Sequence, residues 1–475
     1  MNREKTLVKN TAILTVGKIC TQMISFFLLP LYTALLSTEE YGTVDLLNTL
    51  VSLMLPIVTF QIEQAVFRRL IDNREKDEEI KKIVSTTVCT ILVQIIIYVV
   101  LFLLISPFIN NDYKYFLLTN VMACIFSSIM LQISRGLGDN KNYAIGSFIT
   151  ASSTVILNVI FIVICRFGAY GMLMASLSGN ILCSLYIFLV KKIYKYISIK
   201  KWDKQLLKTM WKYSLPLIPN AISWWIFNSS DRIIVTYFLG IGQNGILSAS
   251  YKFSNLYITI YNIFNMTWTE SASLHINDKD ASDFVSSTMN VVLKLFTAIC
   301  FGIIGFMPFV FPIMINEKFS DSYYQIPILM LATLFNVMVG LLSVIYIAKK
   351  NTKAVAKTSI MAAIINLIVN LGLIKFIGLY AASISTLVSY FAMAIYRYVD
   401  VQKYVKIKID KKFLIVAFIM MPILLISYYI NNLYLNIVMV LIVCLYALIT
   451  NLKTLNIVLD FIKKKLHLNK LKENA

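Results

Sequence analysis

Charged residues are scarce in this chain of 475 residues. Only 14% of the residues are charged, whereas 58% are hydrophobic, and the mean hydropathy is +0.74. Soluble domains contain about 25% charged and roughly 45–50% apolar residues. A chain of this composition would expose too much apolar surface to water. The composition therefore excludes a soluble protein and indicates one that is embedded in a membrane.

The chain also lacks the short motifs that carry enzyme chemistry. It has two histidines, His275 and His467, and seven cysteines that all lie in apolar runs without a CxxC pair. The cysteines are interpreted as small apolar residues, and no metal site is expected. No GxxxxGK[ST] segment is present, which excludes a P-loop ATPase. We predict a protein that is not an enzyme and that needs no cofactor.

Apolar runs of about 20 residues, the length that crosses a bilayer as a helix, recur along the chain. About fourteen spans are predicted, at residues 10–36, 43–67, 83–108, 114–134, 143–165, 169–190, 212–240, 246–270, 287–315, 325–348, 358–376, 378–399, 413–430 and 433–450. The last two are short and closely spaced, so a single re-entrant hairpin is the alternative to two spans. The predicted fold class is an all-α polytopic membrane protein.

The basic residues set the orientation of these spans. The net charge is +20, and with the N-terminus inside, 36 of the 44 lysines and arginines fall in cytoplasmic segments and four in outer loops. This distribution predicts that both termini are cytoplasmic, with basic loops facing anionic lipid headgroups rather than nucleic acid. The loop at 191–212 and the tail from Asn451 mix lysines with apolar residues. Both predict amphipathic helices on the inner surface, with plain positive-inside anchoring as the alternative.

An internal repeat divides the spans. FGAYGMLMASL at 167–177 resembles IGLYAASISTL at 377–387, and Tyr41-Gly42 aligns with Asn244-Gly245. Spans 1–6 and 7–12 therefore form two copies with the same orientation, which predicts two parallel six-helix lobes around a central cavity. The predicted domains are an N-terminal lobe at 1–200, a C-terminal lobe at 201–410, two additional transmembrane helices at 411–450 and a basic cytoplasmic tail at 451–475.

Polar residues recur at steps of three or four in several spans, which places them on one helical face. Because charged side chains in a span usually face a bundle interior or water, these faces are predicted to line the cavity. The predicted substrate-binding cations are Lys18, Arg232, Lys252 and Lys294, and the predicted polar or aromatic lining residues are Gln22, Asn48, Asn220, Trp224, Asn228, Asn255 and Asn262. The acids Asp45, Glu63, Asp231 and Glu270 are candidates for ion coupling or for pairing with the cations. The alternative is that these charges pair internally and only hold helices together.

Two prolines, Pro216 and Pro219, interrupt the backbone ladder of the predicted seventh span. Prolines at this place predict a bend or hinge of the kind that alternating access requires, with a static kink as the alternative. Trp224 and its neighbour Trp225 have the flat apolar faces on which sugars stack, although aromatic residues at helical spacing also serve simple packing.

Several segments resemble one known family. They are LLSTEEYGTVDL at 35–46, RGLGDNKNYAI at 135–145, SLPLIPNAISWWIFNSSDRIIVTYFLG at 214–240 and GILSASYKF at 245–253. In order and spacing they resemble the bacterial polysaccharide-biosynthesis flippases of the Wzx type, over essentially residues 5–450. These flippases belong to the same superfamily as the multidrug and toxin extrusion (MATE) antiporters and the lipid II flippases, so the resemblance implies a MATE-like fold.

The resemblance also implies a function. The expected cargo is an oligosaccharide linked to undecaprenyl diphosphate, a repeat unit of O-antigen or capsule. It moves from the cytoplasmic to the outer leaflet of the bacterial cytoplasmic membrane by alternating access, driven by a proton or sodium gradient. Expected partners are this lipid, membrane lipids, a polysaccharide polymerase and glycosyltransferases, with the chain acting as a monomer. The alternatives are a multidrug or cation antiporter and a non-transporting scaffold for glycan assembly.

Overall fold

A computed structural model describes residues 26–109 and 111–473, and within these residues the secondary structure is helical. The helices are α1 (Leu29–Leu35), α2 (Thr38–Thr59), α3 (Ile62–Asp72), α4 (Asp77–Ile105), α5 (Lys114–Gly136), α6 (Asn140–Asn158), α7 (Gly168–Val190), α8 (Lys204–Ser214), α9 (Leu217–Leu239), α10 (Ile241–His275), α11 (Ala281–Met314), α12 (Ser322–Ala348), α13 (Thr352–Ile377), α14 (Tyr380–Val401), α15 (Lys411–Ile430) and α16 (Leu433–Glu473). A π-helical turn, Val159–Ile164, extends α6.

Ten of these helices, counted within the described residues, are long and apolar enough to cross a membrane. Three others, α9, α10 and α14, contain 23, 35 and 22 residues. At 1.5 Å per residue each is at least about 33 Å long, which matches the thickness of a bilayer core. They correspond to the predicted spans 7, 8 and 12. The all-α polytopic fold class is confirmed, whereas the first predicted span lies largely outside the described residues.

The helix boundaries follow local sequence signals. α2 starts with a capping box, in which the Ser37 hydroxyl accepts from the Glu40 N–H at 3.0 Å and the Glu40 carboxylate accepts from the Ser37 N–H at 2.9 Å. α8 ends at Ser214 and α9 begins at Leu217, so Pro216 sits at the N-cap of a new helix. The prolines therefore separate two helices instead of kinking the middle of one, because proline fits the first turn of a helix.

The chain divides into two compact units, at residues 1–249 and 250–475, with the boundary inside α10. In the first unit, Ile62, Val66 and Leu70 of α3 are fully buried against α4, α5 and α8. Their spacing of four places all three on one helical face. The division into lobes at residue 200 remains a prediction, since the unit boundary reflects packing and not the repeat.

Two glycines that the repeat aligns lie against each other in the first unit. A Cβ atom on Gly42 would overlap the carbonyl oxygen of Ile241, and one on Gly245 would overlap the carbonyl oxygen of Thr38. The Asn244 amide donates to the Gly42 carbonyl at 2.9 Å and is itself fully buried. The start of α2 and the start of α10 thus pack backbone to backbone, which requires residues without a side chain.

The RGLGDNKN segment forms a loop with well-defined hydrogen bonds on the side predicted to be cytoplasmic. Arg74 Nε donates to the Gly136 carbonyl at 2.7 Å, which caps the end of α5. Gly138 has φ +84°, in the left-handed region that favours glycine. Asp139 then caps α6 by accepting from the Asn142 N–H at 3.0 Å, and it pairs with Lys191 at 2.7 Å. This motif therefore joins three helices rather than forming a ligand site.

The 191–212 segment and the tail differ in part from the prediction. The loop contains two 3-10 turns, Ile193–Lys195 and Ile199–Lys201, followed by α8, so only its last third is an α-helix. Its residue Asp203 pairs with Lys82 at 2.7 Å, which ties the loop to the first turns of α4. The tail continues α16 to Glu473 without a break and is not a separate surface helix.

In the second unit, α12, α13 and α14 pack around one buried arginine. Arg397 is only 2% exposed. Its Nε donates to the Thr358 hydroxyl at 2.9 Å and its Nη1 to the Val339 carbonyl at 3.3 Å, with further bonds from the guanidinium to Ser343, Val355 and Ser359. A buried charge is stable only when its donors are satisfied. In the charge distribution this arginine counts among the cytoplasmic basic residues, although it also lies at the end of the predicted span at 378–399.

Candidate functional site

A polar face in the first unit joins α2 and α9, and we call it the α2–α9 face. Asn220, Trp224 and Asn228 recur every four residues on α9, and all three are exposed. Asn48 and Ser52 are exposed on α2 at the same spacing. Exposed amides and hydroxyls within membrane helices are costly against lipid, so this face is suited to water or to a polar ligand. The sequence predicted that all of these residues lie on the polar faces of their helices.

An ion pair lies at one end of the α2–α9 face. Arg232 Nε donates to Asp45 Oδ2 at 2.8 Å, and the side chains of Arg232 and Asp45 are 14% and 22% exposed. Arg232 Nη1 also donates to the Asn228 carbonyl one turn earlier, at 3.0 Å. Because the carboxylate offsets the guanidinium charge, the pair presents a dipole rather than a free cation.

A tryptophan forms a second link between the same helices. Trp225 Nε1 donates to the Thr49 carbonyl at 2.9 Å and lies 3.1 Å from the Ser52 hydroxyl. Its neighbour Trp224 is 49% exposed and points away from this contact. The two adjacent tryptophans therefore differ in role, since Trp225 joins the helices whereas Trp224 offers an open aromatic surface.

Asp231 lies next to Arg232 but on the buried side of α9. It is 3% exposed and takes part in interactions with other groups. Adjacent residues on a helix lie about 100° apart, so Asp231 and Arg232 face different surroundings. Of the two residues, only Arg232 belongs to the α2–α9 face.

The second unit has its own polar face, on α10. Lys252 and Asn255 are half-buried, whereas Asn262 and Glu270 are exposed. The Asn255 carbonyl accepts from the Thr259 hydroxyl at 2.7 Å. Lys252 takes part in interactions and is not an isolated charge. The structure thus keeps Asn262 and Glu270 on the surface of α10, whereas Lys252 and Asn255 are drawn partly inward.

Lys294 lies among different neighbours from those of the α2–α9 face. Its Nζ pairs with Asp410 Oδ2 at 2.6 Å, at the end of a groove of about 890 Å³ that α11, α15 and α16 enclose. The hydrogen bond from Lys294, followed by one from the Phe413 N–H, holds the pKa of Asp410 below its ordinary value. The charge of Lys294 is therefore offset by a residue that the sequence analysis did not connect with it.

Glu63 is buried at the start of α3 with an exposure of 3%. Its carboxyl group lies near the Thr59 hydroxyl, which itself donates to the Leu55 carbonyl at 2.8 Å. Lys18 and Gln22 lie outside the described residues. In the part of the chain that the structure describes, no group of three or more His, Cys, Asp or Glu residues forms a metal site.

Sequence reasoning missed two residues that organise the helices. Trp225 was considered for sugar stacking or simple packing, and Arg397 was counted as a cytoplasmic charge. Neither position carries a local signal, because the partners Thr49, Thr358 and Val339 lie tens to more than a hundred residues away. A basic residue near the end of an apolar run, as at Arg397, is ambiguous between an interfacial and a buried position.

Comparison with protein families gives one match. The family described as "Polysaccharide biosynthesis protein" matches residues 7–269, which is more than half of the chain. This range contains α1 to α9 and most of α10, and therefore the whole α2–α9 face. No protein with a curated function matches the sequence.

Several solved structures share the fold. A lipid II flippase, MurJ, in an inward-closed conformation has a TM-score of 0.67 at 18% identity, covering 94% of this chain and 100% of its own. An inward-facing multidrug resistance transporter of the MATE family and MOP superfamily has a TM-score of 0.65 at 13% identity, covering 80% and 93%. A MOP superfamily transporter from Pyrococcus furiosus has a TM-score of 0.53 at 14% identity, covering 83% and 96%. At these identities the likeness concerns the fold alone.

Proposed function

The chain belongs to the polysaccharide biosynthesis protein family, and from that premise we propose that it is a flippase for a lipid-linked oligosaccharide. The proposed cargo is a polysaccharide repeat unit on undecaprenyl diphosphate. It moves from the cytoplasmic to the outer leaflet by alternating access. The proposed location is the bacterial cytoplasmic membrane, with both termini inside as the basic loops predict.

The observation that carries this proposal is the α2–α9 face. It places three amides, a hydroxyl, an indole and an ion pair along helices that are long enough to cross a bilayer. A hydrated glycan must pass an apolar layer of about 30 Å, and hydroxyl-rich sugars need hydrogen-bond partners throughout that distance. Exposed polar groups at this depth supply such partners, and a purely structural role would leave them without a purpose.

The chemistry of the face favours a sugar over a strongly charged group. The exposed amides of Asn48, Asn220 and Asn228 both donate and accept, as sugar hydroxyls require. Trp224 offers an apolar surface for the faces of sugar rings. Because Asp45 offsets Arg232, the face has no excess positive charge from this pair. We therefore propose that the face contacts the glycan.

The alternative functions make different predictions. A multidrug or cation antiporter would need an acidic site that binds an organic cation, and Asp45 already has a cationic partner. A scaffold for glycan assembly would need neither the exposed amides nor Trp224.

The proposed driving force is a proton or sodium gradient, which is consistent with the absence of a P-loop nucleotide motif from the sequence. The proposed unit is a monomer that works beside a polymerase and glycosyltransferases.

The test is export of the surface polysaccharide in cells that lack the chromosomal copy of the gene. Wild-type protein is expected to restore the surface glycan, and variants with Trp224→Ala or Asn228→Leu are expected to accumulate lipid-linked repeat units in the inner leaflet. Full export by both variants at wild-type protein levels would overturn the assignment of this face. Export of dyes with unchanged surface glycan would favour the antiporter.

A further inference from the structure

The break between α2 and α3 is a specific backbone feature of the first unit. α2 ends at Thr59 and α3 begins at Ile62. The two residues between them, Phe60 and Gln61, have φ values of 52° and 56°. Neither is a glycine, so each left-handed conformation is strained and must be held by its surroundings.

The break redirects the backbone hydrogen bonds. The Gln61 N–H donates to the Thr59 hydroxyl at 3.2 Å instead of to the carbonyl of Ile57 four residues earlier. On α4, the Gln94 amide donates to the Thr59 carbonyl at a long 3.4 Å. The last carbonyls of a helix have no intrahelical donor, so the end of α2 adds acceptor oxygens to this place.

Two buried side chains at the break also have acceptor oxygens without a donor. Glu63 is 3% exposed and Gln94 is 7% exposed. Glu63 Oε2 and Gln94 Oε1 each have no hydrogen-bond partner among the described residues. Both side chains reach Thr59, Glu63 at its hydroxyl and Gln94 at its carbonyl. Thr59 therefore brings the two acceptors to the same place.

Among the described residues, the Glu63 carboxylate has no basic partner, whereas Asp45, Asp139 and Asp410 each pair with a lysine or arginine. Burying an unpaired carboxylate is unfavourable, and an unsatisfied amide oxygen adds to this. A positive group that binds oxygen would offset both.

We propose that Glu63, Gln94 and Thr59 form a binding site for one sodium ion, which we call the Glu63 site. Sodium is a hard cation that takes carboxylate, amide, hydroxyl and carbonyl oxygens as ligands, and interrupted helices in transporters hold ions in this way. The Tyr98 hydroxyl, one turn from Gln94 on α4, also has no partner. A single proton can bridge only two oxygen atoms. More than two oxygen atoms lie at this site, which favours a metal cation over a proton.

The test measures ion binding without transport. Full-length protein in detergent is unfolded by heat in sodium, potassium or choline chloride at constant ionic strength, with a thiol-reactive dye reporting exposure of the buried Cys183 and Cys300. The wild-type melting temperature is expected to rise with the logarithm of the sodium concentration and not with potassium or choline. Glu63→Gln and Gln94→Leu are expected to lose this rise. Glu79→Gln, which removes an exposed carboxylate from the first turn of α4, is the matched control and is expected to retain it.

Two outcomes would overturn the proposal. One is a sodium-dependent rise in Glu63→Gln equal to that of the wild type. The other is a wild-type protein that responds to acid but not to sodium, which would make Glu63 a proton site. Should Glu63→Gln fail to fold, Gln94→Leu and Thr59→Val decide. A role in driving transport rests on the proposed function, but binding does not, so a protein that binds sodium yet moves no glycan contradicts only the function.

Discussion

Arg232 on α9 and Asp45 on α2 form an ion pair of 2.8 Å between helices that are almost 190 residues apart in the chain. The pair is largely but not fully buried, with the two side chains 14% and 22% exposed. Its position at the end of a row of exposed amides distinguishes it from a simple interhelical link. Substitutions at this pair can therefore separate a structural role in joining α2 to α9 from a functional role in contacting the cargo.

The first prediction separates these roles. Asp45→Leu or Arg232→Met alone leaves the remaining charge without its partner and is expected to lower the free energy of unfolding by about 1–3 kcal/mol. The double variant removes both charges and is expected to regain most of that stability. If the pair contacts the cargo, the double variant folds but does not export glycan. Recovery of both stability and export in the double variant would reduce the pair to a structural link. Protein level, melting temperature and surface glycan are measured together.

The second prediction uses the adjacent tryptophans as a matched pair. Trp225→Phe loses the indole N–H that donates to the Thr49 carbonyl and is expected to cost about 1 kcal/mol in stability. Trp224→Phe changes an exposed ring and is expected to leave the melting temperature unchanged, while Trp224→Ala lowers glycan export. Thermal unfolding and an export assay of the three variants check this. Equal loss of stability at both positions would show that the difference in exposure has no consequence.

The third prediction concerns the contact of Gly42 and Gly245. A Cβ at either position meets backbone that cannot rotate away. Gly42→Ala and Gly245→Ala are each expected to destabilise the protein by about 1–3 kcal/mol. The control is Gly372→Ala, because Gly372 lies in a helix and an added Cβ there would meet no atom within 4 Å. This variant is expected to be neutral or to stabilise the protein by up to about 1 kcal/mol. Melting temperatures that fall equally for all three would contradict the close approach of α2 and α10.

The fourth prediction is an effect of pH through Asp139. Partial burial raises the pKa of Asp139, but the hydrogen bonds from Lys191 and Asn142 outweigh it, so the pKa lies below its ordinary value. A lowered pKa in the folded state stabilises the protein above about pH 4, and this contribution is lost as the pH falls through the folded-state value. Asp139→Asn is therefore expected to be less stable than wild type at pH 6 and to approach it below about pH 4. A difference that stays constant with pH would argue against the Asp139–Lys191 pair.

The sequence predicted the helical spans and the α2–α9 face because both follow from local periodicity. Asp45, Asn48, Asn228 and Arg232 repeat at helical steps within apolar runs, and a helix converts such spacing into one face. The partners could not be predicted, because pairing depends on which helices pack together. Lys294 joins Asp410 across more than a hundred residues, and the sequence holds no sign of that choice.

Two further features of the structure could not be predicted from the sequence, because their local sequence indicates a different structure. The break after Thr59 occurs at Phe60 and Gln61, which have a left-handed backbone. Neither position is a glycine or proline, so the sequence gives no signal that the helix ends there. Arg397 is a basic residue near the end of an apolar run, which is typical of an interfacial position, yet hydroxyls and carbonyls of α12 and α13 accept its hydrogen bonds. In both cases tertiary packing overrides the local preference, so only the assembled unit reveals the feature.

The proposed function is tested most directly by flipping of a defined undecaprenyl-diphosphate-linked oligosaccharide in proteoliposomes, with a glycan-modifying enzyme outside to report arrival in the outer leaflet. Wild-type protein is expected to expose the glycan. The folded Asp45→Leu/Arg232→Met variant is expected to do so at least about tenfold more slowly, since losing about 1.4 kcal/mol of charge-assisted hydrogen bonding at the barrier changes a rate by that factor. Equal rates for the variant and the wild type, or no movement of the lipid by the wild type under an imposed ion gradient, would contradict the proposal.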